Sequence, residues 1–109
     1  MASSKQQLFE PELQTHAAVF KALAHPARLA ILLYLAEIKT CITGDIAEEL
    51  PLGRTTVNQH LKELKNAGLI KGTVEGVRTN YCLNPDAIRA LKNQLGDFLD
   101  KIEPSQALC

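Results

Sequence analysis

Between Arg54 and Lys65 the chain reads RTTVNQHLKELK, a run whose polar side chains suit one kind of chemistry: contact with a charged, base-bearing polymer. Arginine can make a two-point contact with guanine, and asparagine or glutamine with adenine; small hydroxyls can approach base edges closely. Hydroxyls, lysines and the amides of a helix start also hold phosphates. Candidate nucleic-acid contacts are therefore Arg54, Thr55, Thr56, Asn58, Gln59, His60 and Lys62, with Arg78 added from a predicted hairpin tip that could reach a phosphate or the minor groove. Taken alone, this run reads as the ordinary solvated face most helices possess; the turn before it and the hairpin after it favour the DNA-contact reading. His60, beside Leu61, reads either as a partly buried structural histidine or as a phosphate contact, and Arg78 either as a contact or as a plain surface cation.

Enzyme chemistry finds little support. There is no glycine-rich phosphate loop, no nucleophile and base at a recognisable spacing, and no pair of carboxylates in a plausible pocket. Asp45, Glu48 and Glu49 are close in sequence but read as capping charge and a solvated helix face. His16 and His25 are isolated, whereas metal affinity needs several converging ligands, so no metal and no cofactor is expected. Three cysteines do not make a disulfide framework, and each is either a buried apolar residue or a reactive thiol. The formal net charge is zero. Local balance matters more for a nucleic-acid partner: from Arg54 to Arg78 the cations Arg54, Lys62, Lys65, Lys71 and Arg78 face only Glu63 and Glu75.

The elements that must position these residues follow from pattern. Pro11 suits a first helical turn, and Leu13, Ala17, Phe20 and Ala24 recur at helical spacing. His25-Pro26 breaks that helix, and a second follows from Ala27 to Glu37, apolar nearly all round and so expected at the centre of the core. Residues 39–42 are short and β-prone. Thr43 can cap a helix over 44–50, and Pro51-Leu52-Gly53 then turns the chain into the helix from Arg54 to Ala67, which Gly68 ends. Two β-prone runs, 70–74 and 77–83, flank Glu75-Gly76 as a hairpin. Asn84-Pro85-Asp86 starts a last helix with Ile88, Leu91, Leu95, Phe98 and Ile102 on one stripe.

Two short helices joined by a tight turn and followed at once by a hairpin predict a winged helix-turn-helix, mainly α with a small β-hairpin. The expected organisation is a flexible N-terminus over 1–9, a DNA-binding domain with dimerisation helices over 10–103, and a frayed tail over 104–109. With no run of ~18 apolar residues and no signal-like start, a cytoplasmic protein without a membrane partner is expected.

These segments resemble a known family, the ArsR/SmtB-type repressors. Residues 22–32, ALAHPARLAIL, are similar to that family's opening motif; Asp45-Ile46-Ala47 and residues 55–70, TTVNQHLKELKNAGLI, to its core; Gly76-Val77-Arg78 and Tyr81-Cys82-Leu83-Asn84-Pro85 to its wing and exit. The resemblance spans roughly residues 17–101. It implies a homodimer built from the first and last helices, double-stranded DNA carrying an inverted-repeat operator, and repression relieved by an inducer. Leu13, Phe20, Leu91, Leu95 and Phe98 are the matching interface candidates, unless both stripes simply pack on their own core.

This sequence departs from the family at its sensing sites. Many members carry two cysteines just before the aspartate matching Asp45, where this chain has Ile42 and Gly44. Another family site uses histidine on the last helix, and residues 85–102 contain none. In a winged helix the short strand pairs with the second wing strand, which would bring Cys41 near Cys82. Such a pair could form a disulfide or bind a soft metalloid with a third ligand, or be two small apolar residues at a strand edge. Two other readings stay open: a winged-helix module that binds protein, and a DNA binder that needs no effector.

Overall fold

The computed structural model describes residues 8–38, 42–43, 50–75 and 78–104. Helix α1 spans Pro11–Leu23, with proline in its first turn, Glu12 near its positive end and Lys21 near its negative end. Helix α2 spans Pro26–Ile38, and the two meet at a bend of 82° across Ala24-His25. Strand β1 is Ile42–Thr43 and helix α3 is Arg54–Asn66. Strands β2, Ile70–Glu75, and β3, Arg78–Leu83, form the hairpin, and helix α4, Pro85–Ile102, closes the order. The helix expected over 44–50 lies outside the described residues, apart from Leu50, which is in a turn.

The sheet has the order β1-β3-β2, antiparallel throughout, with Ile42 opposite Tyr81 and Gly72 opposite Tyr81 on the other side. The wing is thus anchored through its second strand to the segment that precedes the turn. The core gathers Ile31 and Leu35 of α2, Val57, Leu61 and Leu64 of α3, and Leu69, Ile70 and Tyr81 of the hairpin. It lies directly behind α3, so the position of that helix is fixed by apolar contact on its inner face.

Helix α3 stops where its sequence says it should. Gly68 takes a φ of +82°, its N–H donates to the Lys65 carbonyl at 2.9 Å, and the Leu69 N–H donates to the Leu64 carbonyl at 3.0 Å. Those two bonds are the Schellman closure, and Leu64 and Leu69 supply the apolar contact that goes with it. The chain then enters β2 directly. At the far end of the hairpin the Asn84 N–H donates to the Leu69 carbonyl at 3.0 Å, and the Asn84 side chain caps α4 by accepting from the Ala87 N–H at 3.3 Å.

Helix α2 departs from expectation. Only Ala27, Ile31 and Leu35 are buried, while Leu33 is 71% exposed. Its all-round apolarity does not place it at the centre of the core, because α3 and β3 cover only one side of it. Helix α4 has no fully buried residue and lies along α1, where Phe20 and Phe98 meet edge to face at 5.9 Å.

Candidate nucleic-acid interface

The outer face of α3 carries Arg54, Thr55, Thr56, Gln59, Lys62 and Lys65, all exposed. Its inner face carries Val57, Leu61 and Leu64, which have no solvent exposure. Gly53 precedes the helix in extended conformation and offers no side-chain cap. The first N–H groups of a helix have no partner inside it, so an uncapped start exposes donors at the positive end of the helix dipole. Hydroxyls, an amide and three cations therefore share one solvent-facing surface with that start.

Two of the expected contacts do not lie on this face. Asn58 is 9% and His60 8% exposed. On a helix, residues three or four apart are neighbours; Asn58 sits three before Leu61, and His60 sits three after Val57 and four before Leu64. Both flank the apolar seam and are covered where α3 packs on the core. Arg54 and Asn58 also each carry an interaction within the chain. Arg54, Thr55, Thr56, Gln59 and Lys62 are the expected contacts that lie on the outward face. Arg78 pairs with Glu75 across the last rung of the hairpin, and its side chain lies outside what is described.

Behind α3, His60 is held by Arg28, which sequence pattern did not single out, and lies beside His25, which was expected to be isolated. Arg28 Nε donates to His60 Nδ1 at 3.1 Å, and Arg28 Nη1 donates to the carbonyls of Ala22 at 3.2 Å and Lys21 at 3.4 Å. The His25 ring lies 4.2 Å from that of His60, and its Nδ1 accepts the Ala27 N–H at 3.0 Å. Desolvation lowers the pKa of His60 below 6.5, with His25 and Arg28 adding to the effect and Glu63 opposing it. Its neutral form therefore dominates at neutral pH. The signal for Arg28 was a lone cation in the opening turn of a helix whose other charged residue is Glu37 near its end.

The interface candidates divide. Leu13 and Leu95 stay exposed, as do Phe9, Leu99 and Ile102 beyond the expected set. Phe20 and Phe98 face each other and His16 within one chain, and Leu91 packs against the core. Cys82 lies on β3 opposite Lys71 and is disulfide-bonded; Cys41 and Cys109 lie outside the described residues. Among the described residues no three His, Cys, Asp or Glu side chains converge as a metal site, and no single helix is long and apolar enough to cross a membrane.

The tight turn, α3 and the paired wing strands define a winged helix-turn-helix protein. Residues 23–73 match the family model described as a helix-turn-helix domain. The chain is 39% identical over 79 residues to the transcriptional regulator Rv2034 of Mycobacterium tuberculosis, covering 72% of this chain and 73% of that protein. An ArsR family regulator of known structure, RHA00566, superposes with a TM-score of 0.66 at 21% identity, covering 86% of this chain and 95% of its own, a likeness of fold alone. The homodimeric winged helix-turn-helix DNA-binding domain Mb0332 of Mycobacterium bovis superposes at 0.56 with 28% identity, covering 89% of each. The chain belongs to the ArsR/SmtB-type family of helix-turn-helix transcriptional regulators.

Proposed function

We propose that the protein is a cytoplasmic homodimeric repressor that reads an inverted-repeat duplex with the outer face of α3. The observation that carries this is the exposure of Thr55, Thr56, Gln59 and Lys62 around an uncapped helix start, on an element braced from behind by the core. Two such helices related by a two-fold axis would enter major grooves about 34–36 Å apart. Thr56 and Gln59 then read base edges, and Lys62 and the wing hold phosphates. The exposed apolar residues Leu13, Leu95, Leu99 and Ile102 form the surface through which two copies join.

The test is selection of a duplex from a randomised library, followed by binding to the selected site at 50 and 200 mM salt. A reader with 6–10 phosphate contacts loses about 10³–10⁵ in affinity across that interval. Gln59→Ala should relax preference at one position by about 1–3 kcal/mol, whereas Lys62→Ala should weaken all sequences alike and lower the salt slope by about 1. Weak, salt-insensitive binding with no sequence selected would sink this reading and favour a protein-binding module.

A thiol response is the second part of the proposal, and the disulfide at Cys82 favours it. The register of Ile42 opposite Tyr81 makes Cys41, the next residue back, a better second thiol than Cys109. A hydroperoxide would take two electrons and two protons from the pair, leaving a disulfide, an alcohol and water. The bond would fix the wing to the segment before the turn and so change affinity for the selected duplex. Equal affinity with and without peroxide, or an identical response in Cys41→Ser, would refute the switch while leaving DNA reading intact.

A further inference from the structure

Helix α2 carries two charged residues, and Arg28 is the one in its first turn. Its guanidinium spans a junction rather than entering solvent freely. One nitrogen, Nη1, donates to Lys21 and Ala22, whose carbonyls belong to the last turn of α1; the other, Nε, donates to His60 on α3. One planar group therefore touches the end of α1, the start of α2 and the middle of α3. Lysine cannot reproduce this, since its ammonium is a single point with no fork of fixed geometry.

His60 can accept from Arg28 only with Nδ1 unprotonated. Protonation would set two donors against each other, beside the His25 ring at 4.2 Å and with Glu63 as the one acid favouring it. His25 is itself committed, its Nδ1 occupied by the Ala27 N–H that starts α2. The same corner thus fixes both the bend between α1 and α2 and the back of α3.

We propose that Arg28 and His60 form a positioning pair that sets the angle at which α3 is presented to DNA, and that the pair opens when His60 takes up a proton. This rests on the DNA-reading function proposed above. Neither residue touches the duplex; both act through the outward residues of α3, so their loss should reduce affinity without altering which sequence is selected.

The experiment uses the full chain and the duplex selected by the wild type. Arg28→Lys, dimeric and folded by circular dichroism, should bind that duplex at least tenfold more weakly at pH 7.5. The ratio of affinity at pH 7.5 to that at pH 5.5 should be larger in the wild type than in His60→Gln, whatever the variant's absolute affinity, because glutamine offers an acceptor that does not titrate. Wild-type affinity in a folded Arg28→Lys, or equal pH ratios in the wild type and His60→Gln, would overturn the pair; if Arg28→Lys does not fold, the pH ratios decide. Should the wild type select no duplex, the DNA reading fails on its own. The pair is then judged from the ring nitrogen shifts of His60, which should report a bare Nδ1 in the wild type and a changed tautomer balance in Arg28→Lys. Identical shifts in the two would overturn it.

Discussion

Gly72 is where the wing is most sensitive to a single atom. It sits in β2 at a φ of +123°, opposite Tyr81, and a Cβ built there would run into the Asn80 carbonyl oxygen and lie 2.9 Å from the Tyr81 Cα. Both obstacles are backbone of the paired strand, so no side chain can swing aside. Holding an L-residue in this region costs about 1–3 kcal/mol, and separating the strands at a rung that leads to buried Tyr81 adds to it, for a total of at least ~2–4 kcal/mol in Gly72→Ala. Two other glycines calibrate the effect. Gly68 has a positive φ but open space around its Cβ, so Gly68→Ala carries the backbone strain alone, about 1–2 kcal/mol. Gly96 lies inside α4 with nothing near its Cβ, and Gly96→Ala should gain about 0.5–1 kcal/mol. Urea unfolding at one fixed protein concentration measures all three, and fixing the concentration matters because the proposed self-association would contribute to apparent stability. At roughly 4–8 °C per kcal/mol for a domain of this size, Gly72→Ala should also melt at least ~8 °C below the wild type. The reasoning is refuted if Gly72→Ala is as stable as Gly68→Ala.

Asn84→Ala removes the acceptor that caps α4 at the Ala87 N–H, and should cost about 1 kcal/mol by the same unfolding assay. Leu95→Asp places a charge on the exposed apolar face of α4; it should yield a folded monomer by analytical ultracentrifugation, and a dimer of unchanged affinity would exclude this face as the interface. His60 has a folded pKa below its unfolded value of 6.5, so the unfolded chain binds the proton more readily. Its contribution to stability is therefore complete above pH 6.5 and declines as pH falls through the lowered folded value. Stability measured between pH 7.5 and 5 should drop more steeply in the wild type than in His60→Gln, and parallel curves would contradict the assignment.

Where local chemistry dictates a boundary, the sequence was legible. Proline at a helix start, Gly68 at a helix end and Asn84 ahead of Pro85 act within a turn of themselves, and each does what its side chain or its missing Cβ requires. Much of the candidate face on α3 was legible for a similar reason, since helical phase separates Gln59 and Lys62 from Val57 and Leu61. Asn58 was not, and His60 was legible only as one of two readings, because phase places both on the flank and only the neighbouring element decides whether a flank is wet. For His60 that neighbour includes Arg28, 32 residues earlier in the chain, and no local pattern connects the two. The exposure of Leu33 has the same origin. Its apolar type shows that burial would be favourable, while the packing of α2 determines which of its sides one chain can cover.

The angle of α3 matters more in a two-fold reader than in a single domain. If half-sites are separated by about 34–36 Å, each recognition helix works about 17 Å from the symmetry axis. A 10° tilt of one protomer about that axis would carry its helix about 3 Å across the groove, on the order of a whole hydrogen-bond length. Side chains as short as Thr55 and Thr56 cannot make up such a shift, because they have little reach to redistribute. The apolar core resists separation of α3 from α2 but is non-directional, so sliding and rotation are opposed mainly by groups with fixed geometry. The Arg28 guanidinium is such a group, with hydrogen bonds to the end of α1 and to α3 at once. A neutral His60 would then be a condition for register as much as for stability. Acid should therefore weaken binding to paired half-sites more than binding of one protomer to an isolated half-site, and equal losses on the two duplexes would show that the pair does not govern the angle.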